Sequence, residues 1–186
     1  MQKKIGITIV LAFALLSYCY AQSDLIGYGT PPSKKGGLGV GYGFPYGGLG
    51  LAADVYFLDN MAFTLAVGTL GYTAGYEIGA KYLLGSSQKT WRPEAILLYG
   101  VNGVIVADGT AIGDIREAYL GLTAGAGSQF MFGKSKKHGF DAGVTYVISS
   151  GMYKRIKELE DLSVYLETSS RFGFYLGYRF AFDFKI

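Results

Sequence analysis

Cysteine, histidine and tryptophan each occur once in the 186 residues, and proline only four times. Each scarcity excludes something. The single cysteine, Cys19, lies in an apolar N-terminal segment, so the rest of the chain offers neither a disulfide nor thiol chemistry. One histidine, His138, and no second thiol leave no nitrogen–sulfur metal site, and no cofactor is expected. Beyond the N-terminal segment, no apolar run is long enough to cross a membrane as a helix. His138 stands beside Lys137 in a turn, and its own run carries no hydroxyl next to it. A hydrolase or acyltransferase needs a base near a nucleophile, so this histidine reads as a solvated turn residue and the chain as a non-enzyme.

The N-terminus reads as a cleaved export signal over residues 1–21. Lys3 and Lys4 precede the apolar stretch Ile5 to Leu16, and Cys19 and Ala21 stand at the minus-three and minus-one places. A lipid anchor on Cys19 is the weaker reading, because Tyr18 stands where a small residue is needed. Residues 22–35 are polar, contain Pro31-Pro32 and read as an extended segment; residues 36–186 form the remaining domain. Without Lys3 and Lys4 the formal charge falls from +3 to +1, which gives no case for nucleic acid as a partner.

Glycine, tyrosine and phenylalanine, with 29, 16 and 12 residues, are what the chain has in abundance. Their arrangement is clearest in the last run, Arg171 to Ile186. Phe172, Phe174, Leu176, Tyr178, Phe180, Phe182, Phe184 and Ile186 alternate with Arg171, Gly173, Tyr175, Gly177, Arg179, Ala181, Asp183 and Lys185. Strand side chains turn to opposite faces with period two, so one face is bulky and apolar and the other small or charged. The same pattern recurs in Gly37–Phe44, Gly48–Leu58, Met61–Thr69, Gly71–Leu84, Trp91–Asn102, Ala118–Phe132 and Gly139–Ile148. Trp91–Asn102 is the least regular, because Ile96 and Leu98 interrupt its polar face.

Eight runs predict an all-β, eight-stranded antiparallel up-and-down transmembrane β-barrel. Turns at Asp59-Asn60, Gly85–Thr90 and Gly133–Lys137 are short and belong on the periplasmic side; outer loops at about Gly103–Glu117, tipped by Asp108-Gly109, and Ser149–Ser170 are longer. The last of these reads as a mobile charged loop. Its alternative is a short amphipathic helix, on the spacing of Met152, Ile156, Leu159 and Leu162. Gly133-Lys134-Ser135 lacks the upstream glycine of a phosphate loop, and Gly37–Gly43 lacks the spacing and crossover helix of a dinucleotide site.

A soluble ligand-binding barrel would point the bulky face inward. Some thirty large side chains would overfill an eight-stranded interior, which is just wide enough to be filled by side chains. Reversed, glycine, alanine and threonine fill the lumen and the large residues meet lipid. That orientation turns Asp54, Glu77, Glu94, Asp141, Asp183, Lys81, Arg92, Arg171 and Arg179 inward. Enclosed charges must be paired. Glu77 with Lys81 and Arg179 with Asp183 each share one strand face and are the expected pairs. A lumen plugged by salt bridges is the first reading, and a narrow or gated polar pathway the second.

The chain resembles the small outer-membrane β-barrels of the OmpA/OmpX-like kind. Tyr175, Gly177, Phe180 and Phe182 match the pattern of the barrel-assembly signal in the closing strand, although Phe184-Lys185-Ile186 does not finish on an aromatic residue as such proteins commonly do. The resemblance implies folding by the barrel-assembly machinery. It also implies contact with outer-membrane lipid and lipopolysaccharide, and a role in surface structure, adhesion or limited permeability. Fold does not choose among these roles. An outer-membrane lipid-modifying enzyme is the least supported of the membrane readings.

Overall fold

The computed structural model describes residues 36–110, 113–161 and 170–183. These form eight strands: β1 Gly36–Gly43, β2 Gly48–Leu58, β3 Met61–Leu70, β4 Thr73–Leu83, β5 Trp91–Thr110, β6 Gly113–Phe132, β7 His138–Ser150 and β8 Phe172–Phe182. Each pairs antiparallel with its sequence neighbours, and β1 pairs with β8 to close the barrel. The segments assigned to an export signal and an extended leader, and Phe184-Lys185-Ile186, lie outside the described residues.

The barrel is inside-out relative to a soluble domain. Leu38, Val40, Leu51, Phe63, Leu65, Val67, Ile78, Val144, Phe174 and Leu176 are all exposed on its outer wall. Asp54, Thr64, Glu77, Lys81, Glu94, Thr123, Asp141, Thr145 and Arg179 are buried within it. An apolar exterior around a polar lumen is the division that lipid requires of a spanning strand. Aromatic contacts on the outer wall, such as Phe132 with Phe140 and Tyr146 with Phe172, lie toward the strand ends, where interfacial girdles form.

Two outer connections differ from expectation. Residues 103–110 and 113–117 do not form a loop: β5 and β6 run on as a hairpin arm, with Val101 to Thr110 pairing only with Leu120 to Gly113. Asp108-Gly109 therefore lies within β5, short of the tip. The sequence hides the continuation because the ladder slips between Val101 and Gly103 and again between Ala107 and Thr110. Each bulge shifts the phase of a period-two pattern. The segment after β7 is not a charged loop either, for Gly151–Asp161 forms a helix, α1. The hydroxyl of Ser150 accepts a hydrogen bond from the Met152 N–H at 3.3 Å, a polar cap for the first turn.

Met152, Ile156 and Leu159 recur at helical spacing and pack against Ile105 and Ile115 of the arm, with Tyr119 and Tyr153 alongside. Arg155 grips Glu117 through two bonds, Nε to Oε2 and Nη2 to Oε1, both 3.1 Å. The Tyr119 hydroxyl donates to the same carboxylate. Helix and arm form a small apolar cap on the loop end of the barrel.

Hydrogen bonds from Arg155 and Tyr119 hold the Glu117 carboxyl below the usual glutamate range. A group so depressed stabilises the folded form above its unfolded value and ceases to do so as pH falls through its folded value. The contact of α1 with the arm is therefore kept at pH 7 and weakens as pH falls below the ordinary glutamate value of about 4.3. Amide exchange of α1, corrected for intrinsic rate, checks this. Wild type should lose protection on acidification, and Glu117→Gln should show low protection at both pH values.

Candidate functional site

The polar centre of the lumen is built from side chains of four strands and one turn. β1 presents Gly37, Gly39 and Gly41 inward, so nothing rises from its inner face. Arg179, paired with Gly39 across the β1–β8 seam, reaches over that bare strand to Asp54 on β2. Its Nε simultaneously meets Asp141 of β7. Asp54 also receives Lys81 of β4 at 3.3 Å. One guanidinium thus bridges two buried carboxylates, and one of those carboxylates is shared with a second cation.

The turn between β1 and β2 completes the cluster. Phe44–Tyr46 forms a single turn of 3-10 helix that folds into the lumen. Gly43, Gly47 and Gly48 flank it at φ of 107°, 67° and 96°, backbone that a side chain would strain. Tyr46 is fully buried. Its hydroxyl donates to Asp141, and the Arg179 guanidinium lies 5.2 Å from its ring centroid. A Cβ at Gly39 would stand 3.0 Å from the ring and one at Gly41 2.7 Å, so these glycines are its seat. Phe44, expected on the outer face of the first strand, leaves that strand and packs against Ile96, Leu98 and Tyr175 inside the barrel. This is why Ile96 and Leu98 break the polar face of β5: they meet the inward turn.

The remaining sequence-derived residues sort by position. Tyr175 donates to Glu94 Oε1 at 2.6 Å. Arg92 is buried near the short-turn end, where its Nη2 donates to the backbone carbonyls of Asp59 and Gly85 at 2.7 and 2.9 Å. A void of about 20 Å³ beside it has room for one water. Arg171 is not in the lumen; it is exposed and lies 4.2 Å over the Tyr153 ring. Asp183 is exposed beyond the end of β8. The expected pairs Glu77–Lys81 and Arg179–Asp183 do not form. Residues four apart on a strand stand roughly 13 Å apart, so one face shared along a strand does not bring them into contact. Lys81 and Arg179 find Asp54 across the barrel instead. Of the assembly-signal residues, Tyr175 and Gly177 face the lumen and Phe180 the outer wall. Tyr46 is the member of the cluster that the alternation does not reveal; Gly43-Phe-Pro-Tyr-Gly-Gly48 is its available signal.

His138 gains a neighbour that its own strand lacks. The Tyr178 hydroxyl of β8 lies 2.5 Å from its Nδ1, with Phe180 packed beside it. Both residues face the outer wall, where polar-tipped rings suit a membrane interface. Among the described residues no group of three histidines, cysteines or carboxylates converges as a metal site.

No protein-family model and no curated protein matches the chain. It is similar in structure to the N-terminal β-barrel domain of Pseudomonas aeruginosa OprF, with a TM-score of 0.51 and 16% sequence identity. The match covers 79% of this chain and 96% of that one. At this identity the likeness is one of fold.

Two substitutions separate the parts of the cluster. Tyr46→Phe removes one hydrogen bond to a buried carboxylate and should destabilise the barrel by about 1–3 kcal/mol. Arg179→Ala leaves Asp141 without its cation and should cost about 3–5 kcal/mol. Equilibrium urea unfolding of the refolded barrel in lipid vesicles measures both, and the second loss should exceed the first.

Proposed function

We propose that the chain is an integral outer-membrane barrel of a Gram-negative bacterium with a structural or surface-interaction role, its lumen closed by a charge plug. The observation that carries this reading is Arg179 held between Asp54 and Asp141 under the inward-folded Tyr46. Side chains from β2, β4, β7, β8 and the β1–β2 turn meet there and fill the middle of the lumen. The likeness to the OprF barrel domain supports the membrane setting. The arm and α1 supply the surface-interaction part, since they rise beyond the paired walls on the side of the longer connections. Phospholipid and lipopolysaccharide surround the apolar wall, the barrel-assembly machinery inserts it, and the protein has no enzymatic role.

A second reading, a gated narrow conduit, is favoured by the sharing of Asp54. Because Lys81 also binds Asp54, Arg179 can withdraw without leaving that carboxylate bare. Single-channel recording in planar bilayers discriminates the two. The plug reading expects an inserted wild type that is silent or opens rarely, and steady openings in Arg179→Ala and Tyr46→Ala. Frequent wild-type openings that Arg179→Ala prolongs would favour the conduit. Large steady currents equal in all three proteins would overturn the plug.

A further inference from the structure

Basic charge at the short-turn end of the barrel is gathered in one connection. The β6–β7 turn reads Gly133-Lys134-Ser135-Lys136-Lys137 and runs straight into His138, with no acid among them. Among the described residues Lys136 is the only non-glycine at positive φ, 48°. That region favours glycine or asparagine, so a lysine held there points to a use for its side chain. Its ammonium donates to Thr90 Oγ1 at 2.5 Å and ties the turn to the neighbouring β4–β5 connection. The Lys137 carbonyl accepts the Ala181 N–H at 2.7 Å, which ties the same turn to β8. The lysines are therefore carried on a fixed turn. Asp59, the acid of the β2–β3 turn, receives the Ser87 N–H at 2.9 Å, and Asp183 stands exposed beyond the end of β8. No ion pair among the described residues joins either acid to Lys134 or Lys137.

The apolar outer wall begins at the same place. His138 is the cross-strand partner of Phe132 on β6 and of Phe180 on β8, and all three are exposed. The His138 ring lies 4.9 Å from Phe180, and Phe140 lies 5.6 Å from Tyr178, centroid to centroid. The Tyr178 hydroxyl is engaged with His138 Nδ1. When it donates there, the proton of the neutral ring sits on Nε2, which is the donor left for an outside acceptor. A lysine turn and a ring N–H thus border a patch of exposed aromatic rings. A phosphate suits the first part and hydrocarbon the second.

We propose that the β6–β7 turn and the His138 patch bind an anionic phospholipid. Its phosphate lies against the turn lysines and His138, and its chains run along Phe132, Phe140 and Phe180. Lysine meets phosphate as a point charge, and basic side chains beside a bilayer draw anionic lipid toward them. A free phosphate ion would use the lysines and leave the rings uncovered; a lipid uses both. The proposal rests on the outer-membrane reading, which supplies lipid to this wall, and is independent of whether the lumen conducts.

The single tryptophan supplies the probe. Trp91 is exposed on the same wall and pairs with Phe130, whose partner on β7 is Phe140. Two strand spacings, roughly 10 Å, separate it from the strand of His138, within reach of a bound lipid's chains. The refolded protein is placed in phosphatidylcholine vesicles containing brominated phosphatidylcholine or brominated phosphatidylglycerol. Quenching of Trp91 fluorescence then gives the relative affinity of the two lipids. Wild type should prefer phosphatidylglycerol by on the order of fivefold at low salt, and the preference should shrink as salt rises. Lys134→Gln with Lys137→Gln should abolish it. Lys154→Gln with Lys157→Gln removes the same charge from α1 and should leave it intact. Equal affinity for both lipids in wild type would overturn the proposal and leave the membrane reading standing, whereas no quenching by either lipid would overturn both. A preference that survives the turn variant, or that the α1 variant also loses, places the lipid elsewhere and defeats the assignment. Removal of the preference by inorganic phosphate at constant ionic strength defeats it too, for the occupant would then be the free ion. If the turn variant does not refold, the wild-type salt series decides, and a preference indifferent to salt overturns the proposal.

Discussion

A guanidinium held between two carboxylates, deep in a narrow lumen, sets most of the other constraints on this chain. Arg179 reaches Asp54 only because β1 between them carries no side chain on its inner face. The glycines of β1 are therefore a spatial requirement of the ion cluster. The Tyr46 ring occupies the rest of the space they leave, and its hydroxyl satisfies a second oxygen position on Asp141. Taking charges out of water is unfavourable unless geometry and hydrogen bonding are both complete. Here the completeness comes from the backbone: three glycines at positive φ let the β1–β2 turn drop inward and deliver the tyrosine.

The outer wall obeys a simpler rule. Every strand must show lipid its bulky face, so large side chains leave the interior and small ones enter it. This is why the strands are legible from the period-two pattern alone, and why Asp54, Glu77, Lys81, Glu94, Asp141, Tyr175 and Arg179 can be assigned to the lumen by parity. Parity says which face a residue takes. It does not say whom it meets, because contacts inside a barrel cross from wall to wall at distances set by closure. Lys81 finds Asp54 two strands away, not Glu77 on its own strand.

The pattern also fails where the backbone changes phase. The bulges in the β5–β6 arm break the alternation, and a stretch of regular ladder reads as a loop. Phe44 fits the alternation of β1 perfectly well and still leaves it, because the glycines that follow permit a reversal no hydropathy count can register. The helix α1 was visible as apolar spacing, but nothing in the sequence announced that Ile105 and Ile115 would be there to cover it. In each case the missing information is tertiary.

The inward turn also bears on the order of events during folding. It belongs to the β1–β2 hairpin, yet Tyr46 bonds to Asp141 of β7 and stacks on Arg179 of β8. Its partners stand on the far side of the line where the first and last strands join, the contact with the greatest loop-closure entropy in the chain. Seating the turn and zipping that line consequently belong to one cooperative step. A barrel open along this seam has an unfilled centre as well as two bare edges, and the filled centre holds the seam shut.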